Sequence, residues 1–160
     1  MITLHHFTEP GWFIDAGGWE AAGAAEKFGA FARVAAATLT PHCSSFATIN
    51  ELVGYAVTGW AVGIHPPGKQ DVGATAKVIV NLLRAHKAGS DALKAAAHEH
   101  GLPCPSIILA SNMIWFEPAN PWNPLAAGLA LILNGSYNFA VADLSVRRPK
   151  YYHVVVGIPT

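Results

Sequence analysis

The chain has 160 residues, 52% of them apolar and 12% charged, and its ten basic and ten acidic side chains cancel when the histidines are neutral. That length fits one domain with a core of its own, and a chain this apolar is not disordered. A zero net charge with no basic stripe excludes nucleic acid as a partner, and no apolar run reaches the roughly 18 residues of a membrane span.

In chain order the sequence reads as strand-then-helix units. Residues 1–6 form a short apolar run with Ile2 and Leu4, ending in His5-His6. A Gly17-Gly18 break precedes a helical pattern in which Phe28, Phe31, Ala32 and Ala35 make one apolar stripe, closed by Pro41. A second strand over 45–49 runs into Asn50-Glu51, and residues 52–60 read as helix before an irregular loop at Gly63 and Pro66-Pro67-Gly68. Ala76, Ile79, Val80 and Leu83 predict another helical stripe extending towards 94–98, and Gly101-Leu102-Pro103 closes it. The continuously apolar run 106–110 reads as a buried parallel strand. A proline-rich loop over 117–124 leads to a last helical region from Leu125 to about Val146, then a basic turn at Arg147-Arg148-Pro149-Lys150 and one more candidate strand at 151–156. Strands alternating with helices of this length predict an α/β fold with a parallel sheet.

Residues 1–20 lack a basic, uninterrupted apolar leader, and the two cysteines, Cys43 and Cys104, make no disulfide framework. Both are expected to be reduced thiols, and the protein cytoplasmic.

In parallel α/β folds the site lies beyond the C-terminal strand ends, where Glu9, Glu51 and Glu117 fall in this reading. Glu51 stands nearest, beside Asn50, with His6 ending the preceding strand; Phe7, Trp12, Trp115 and Trp122 near the same rim offer flat faces for sugar rings. A carboxylate, an amide and an imidazole there make an acid/base-competent patch, although Glu51 would equally serve as a helix cap or an arginine's partner. Because His5 and His6 alternate across a strand, one imidazole only can face a pocket. His98-Glu99-His100 would point to different sides of a helix and is read as a solvated helix end, so no metal and no cofactor are expected. The strings of zinc, serine-esterase and phosphate-loop chemistry do not occur in the chain.

Thr3-Leu4-His5-His6-Phe7 with Glu9-Pro10 and Gly17-Gly18-Trp19 resembles the third barrel strand and following helix of family 1 glycoside hydrolases. Ala47-Thr48-Ile49-Asn50-Glu51 resembles the fourth strand with its Asn-Glu signature. Gly54-Tyr55, Gly59, Gly63 and Pro66-Pro67-Gly68 resemble the loop after it, and Leu83-Arg84-Ala85-His86 the helix that follows. Asn112 to Pro124, with Asn138-Phe139 and Ala142-Asp143, is similar to the next segment of some members. The likeness spans about residues 1–145. It implies three or four βα units of a TIM (β/α)8 barrel over 1–146, with 147–160 a divergent tail. It also implies β-glycosidase chemistry, β-glucosidase being the commonest type, on a β-glycoside or oligosaccharide substrate. By the same likeness Glu51 is the acid/base, Asn50 holds the sugar 2-hydroxyl and His6 a neighbouring hydroxyl, while Glu117 and Trp122 match no catalytic position and are equally open to substrate-rim or purely structural roles.

The sequence also departs from the family. Leu52 stands where proline is usual, and no segment carrying the nucleophile carboxylate occurs in these 160 residues. Eight βα units usually take about 250 residues. A partial, open barrel with few charges is expected to form a homo-oligomer or to be completed by a partner chain. The rival expectation is a noncatalytic half-barrel that binds sugar or a partner, or a truncated remnant with no activity.

Overall fold

The computed structural model describes residues 1–139 and the backbone of 153–157. Four parallel strands form one sheet in sequence order: β1 (Ile2–His5), β2 (Ser45–Asn50), β3 (Ser106–Asn112) and β4 (His153–Gly157). Parallel neighbours need crossovers. α2 (Ala24–Leu39) connects β1 to β2, and α4 (Val72–Glu99) connects β2 to β3. Two five-residue helices precede these crossovers, α1 (Gly11–Asp15) after β1 and α3 (Leu52–Ala56) directly after β2. The α/β architecture of parallel βα units is the one expected.

β2 is buried along Phe46, Ala47, Thr48 and Ile49, as a strand covered on both faces must be. On the helix side Phe46 and Ile107 meet Ala36, Leu93 and Ala96. α2 and α4 approach closely because glycine faces them on both sides. A Cβ on Gly89 would come within 2.9 Å of Phe28 Cε1, and one on Gly29 within 3.1 Å of Ala88 Cβ.

The two helical stripes differ in phase from those expected. α2 buries Ala25, Phe28, Gly29, Ala32 and Ala36, leaving Phe31 exposed and Ala35 half-buried. In a helix so rich in alanine, hydrophobicity barely distinguishes adjacent faces, and small residues win the contact because they allow close approach. α4 buries Val78, Leu82, Ala85, Gly89 and Leu93, with Ile79 and Leu83 at the edge and Ala76 and Val80 exposed. Its buried face also carries Asn81, His86 and Ser90, which a hydrophobic template skips. Each has a hydrogen-bonding reason to be inside: Asn81 Nδ2 donates to the Trp19 and Ala21 carbonyls at 2.8 and 3.2 Å, and Ser90 Oγ to the His86 carbonyl at 2.7 Å. The expected helix over 52–60 is α3 followed by a π-helical turn, Val57–Val62. The last helix, α5 (Pro124–Leu133), passes into a second π-helical turn at Asn134–Phe139; its expected continuation over 140–146 lies outside the described residues. The fourth strand is described over 153–157; of the expected 151–156, residues 151 and 152 lie outside the described residues.

His86 sets an acid limit. Its Nδ1 lies 2.5 Å from Thr48 Oγ1, and burial first, then the Lys94 charge, pushes its pKa down to about 4 from 6.5. A depressed histidine makes the unfolded chain bind the proton more readily, so the stability present above about pH 6.5 is lost as pH falls towards 4. Denaturant unfolding is expected to show about 2 kcal/mol less stability at pH 5 than at pH 7. The difference should shrink in His86→Gln, and an equal loss in that variant would remove His86 as its cause.

Candidate functional site

Parallel strands place their C-terminal ends on one rim. His5 pairs with Ile49, so His6 and Asn50 stand at equivalent steps at the ends of neighbouring strands, and Glu51 follows immediately. The β2–β3 register shifts between Ala47 and Asn50, an irregularity of the kind that re-aims side chains beside active sites.

Glu51 has φ 46° and ψ 51°, the left-handed region that a non-glycine residue rarely enters. Both halves of its peptide are held: its N–H donates to the Ala110 carbonyl of β3 at 2.8 Å, and its carbonyl accepts from Tyr55 N–H of α3 at 2.8 Å. The carboxylate itself makes no capping bond to α3, and among the described residues no arginine pairs with it. Among the described residues, neither structural role open to Glu51 in the sequence is filled. A strained backbone that aims a free carboxylate off a strand end is an arrangement found at functional sites.

Two residues beside Glu51 carried no signal as site residues in the sequence. A side chain on Gly54 would meet the Tyr137 hydroxyl at 3.3 Å and Glu51 Oε2 at 3.5 Å, so the phenol and the carboxylate share the space above this glycine. Tyr137 O–H donates to Asn112 Oδ1 at 2.9 Å, and burial followed by the Glu51 charge pushes the Tyr137 pKa up. Asn112 ends β3 on the same rim. Tyr137 arrives from a turn 86 positions further along the chain than Glu51, which no local pattern anticipates.

The paired histidines separate as strand alternation requires. His6 is exposed, its ring edge-on to Phe7 at 5.5 Å. His5 is buried between Trp19 and Tyr55 and reaches Glu9, with Nε2 2.7 Å from Oε1. Trp19 Nε1 and Tyr55 O–H donate to the same Glu9 oxygen at 2.8 and 2.5 Å. Burial pushes the Glu9 carboxyl up, but the three hydrogen bonds outweigh it and hold the pKa below the ordinary value. Glu9, expected at the rim beside Glu51, is thus committed to its own cluster. It borders a cavity of about 510 Å³ walled by Phe7, Trp19, Tyr55 and Trp60. Glu20, which lines the same cavity, accepts from Trp60 Nε1 and Lys69 Nζ at 2.8 and 2.6 Å.

The remaining candidates lie further out. Glu117 is exposed on a cavity with Trp115, Phe116 and Leu131. Trp122 is 92% exposed on the turn before α5. Trp12 is exposed and lines a smaller, apolar cavity of about 150 Å³ with Phe13, Phe28 and Phe31.

Known proteins share this frame. The model of a family described as Glycosyl hydrolase family 1 matches residues 1–139. Human cytosolic beta-glucosidase is 28% identical over 122 residues, 76% of this chain and 26% of its own length. Beta-glucosidase A of Thermotoga maritima is 27% identical, over 75% of this chain and 26% of its own. The chain thus spans about a quarter of the length of these relatives. Among solved structures, a beta-glycosidase from Pyrococcus horikoshii superposes with a TM-score of 0.82 at 23% identity, over 99% of this chain and 38% of its own. The Thermotoga maritima beta-glucosidase in complex with glucoimidazole gives 0.80 at 23% identity, over 93% of this chain and 32% of its own.

Proposed function

Because the chain belongs to glycosyl hydrolase family 1, we propose that Glu51 is the general acid/base of a β-glycosidase site, most simply one for β-glucosides. The carrying observation is the clamped left-handed backbone of Glu51, which presents at the end of β2 a carboxylate that caps no helix and, among the described residues, pairs with no arginine. In this role the carboxylic acid protonates the glycosidic oxygen as the bond to the sugar breaks. The resulting carboxylate then takes a proton from the water that releases the sugar. In the same role Asn50 holds the sugar 2-hydroxyl and His6 a neighbouring one, which their equivalent steps at neighbouring strand ends support, and the 92% exposed Trp122 faces an oligosaccharide further out.

Retention needs a second carboxylate about 5–5.5 Å from the first. Glu9 is tied up by three donors and Glu117 stands on a cavity among other residues. No segment of the family's nucleophile type occurs in the 160 residues. The nucleophile is therefore expected from outside them. This favours, as a second reading, a half-barrel that binds a glycoside or a partner without cleaving it. Incubating the 160-residue chain with aryl β-glucosides, while following binding by amide shifts, separates the two. Turnover supports the full site, and binding without turnover supports the half-site. Neither turnover nor binding at millimolar glycoside overturns both.

The same reading takes residues 1–146 as one barrel segment and 147–160 as a divergent tail whose strand extends the sheet. Among the described residues β1 and β4 each pair on one side only, and Val34, Ile64, Leu125 and Leu131 are exposed. A second copy or a partner chain is the expected cover for these surfaces, in the cytoplasm as for the human relative's cytosolic enzyme. Sedimentation at micromolar concentration is expected to show an assembly larger than one chain; a uniform monomer refutes self-association.

A further inference from the structure

At the end of the sheet opposite Glu51, the two cysteines line one cavity. β2 and β3 pair from their first residues, Ser45 with Ser106 and Phe46 with Ile107, and Ser106 N–H donates to the Ser44 carbonyl at 2.8 Å. Cys43 and Cys104 each sit two positions before the first pair, one on either incoming chain. Neighbouring strands run about 4.8 Å apart, and a disulfide takes Cα atoms about 4.4–6.8 Å apart. Cys43 and Cys104 both line one cavity of about 310 Å³, with His42, Ala97 and Leu102 among its other walls. Cys104 is exposed and Cys43 half-buried, with the Cys43 thiol donating to the Ser45 carbonyl at 3.1 Å. The pair thus has one exposed residue and one half-buried, each two positions before the first registered pair and both on one cavity.

We propose that Cys43 and Cys104 are a thiol–disulfide exchange site, oxidised by a low-molecular-weight disulfide such as glutathione disulfide. The exposed Cys104 thiolate attacks the small disulfide, forming a mixed disulfide and releasing one small thiol. The Cys43 thiolate then attacks the Cys104 sulfur, forming the intramolecular bond and releasing a second small thiol. One protein dithiol and one small disulfide become one protein disulfide and two small thiols, with electrons and protons balanced. The new bond ties the entry of β2 to the entry of β3. In parallel barrels that end of the strands serves stability, whereas chemistry sits at the other, so the bond leaves the Glu51 rim in place.

The test treats the 160-residue chain with glutathione disulfide, followed by alkylation and mass spectrometry. Wild type is expected to lose about 2 Da, the two thiol hydrogens, to take up no alkylating agent, and to yield one cross-linked peptide pair containing Cys43 and Cys104. Cys43→Ser is expected to stop at a stable adduct carrying one glutathione on Cys104. Two alkylatable thiols, a separate glutathione on each cysteine, or cross-links only between chains would each overturn the proposal. All of these readouts are independent of whether the chain hydrolyses or binds a glycoside.

Discussion

Glu51→Gln is expected to lower turnover of β-glycosides with poor leaving groups by about 10²–10⁴-fold, the usual contribution of a positioned proton donor. Glutamine keeps the shape of the side chain and leaves the backbone bonds to Ala110 and Tyr55 in place, so the fold should be unaffected. What disappears is the proton that the leaving oxygen needs. Activated aryl glycosides depart with little protonation and should lose far less, and the contrast between the two substrate types identifies the acid. A second readout needs no turnover at all. The Glu51 charge helps to push the Tyr137 pKa up, burial being the larger cause. Removing that charge should move the Tyr137 titration back towards its ordinary value, as read by ultraviolet absorbance against pH. Unchanged turnover on both substrate types together with an unmoved Tyr137 would remove Glu51 from the role.

The parts of this site that were legible in the sequence are those fixed by short-range order. Asn50 and Glu51 follow a run of apolar residues whose period and β-branching mark a buried strand, and a strand end in a parallel sheet is a site position whatever the family. Tyr137 and Asn112 were not legible because their relation to Glu51 passes through Gly54 and through the fold of a distant turn. Helix existence was legible for α2 and α4, whereas the buried face was not. Alanine gives little contrast between faces, and α4 buries Asn81, His86 and Ser90 in answer to hydrogen-bonding demands set by Trp19, Ala21, Thr48 and its own backbone. Glu9 is the clearest case. On the sequence it is one more acidic residue past a strand end, and only the folded chain shows three donors from separate segments converging on it.

That convergence makes Glu9→Ala the substitution expected to destabilise the protein most. The Glu9 side chain is 11% exposed, and a single oxygen accepts from His5 on β1, Trp19 on the 3₁₀ turn before α2 and Tyr55 on α3. Alanine would leave three polar groups facing an apolar neighbourhood of Phe7, Phe13 and Trp60 with nothing to accept from them. Each stranded donor costs about 1–3 kcal/mol, and because they share one acceptor the costs do not simply add. A loss of about 3–5 kcal/mol is the expected total for three donors stranded at once. With roughly 2–4 °C per kcal/mol in a chain of this size, the midpoint of thermal unfolding should fall by about 10 °C. Glu9→Gln keeps an acceptor oxygen but not the charge and should cost less, and Tyr55→Phe, which removes one donor and leaves the carboxylate its other two, less again. The carboxyl's lowered pKa fixes the sign of the pH effect: its contribution is present above the unfolded value of 4.5 and is lost as pH falls through the folded one. Thermal scans of the three variants at neutral pH read the ranking directly. A Glu9→Ala protein that melts with wild type would show that the cluster contributes nothing to holding β1, α3 and the turn before α2 together.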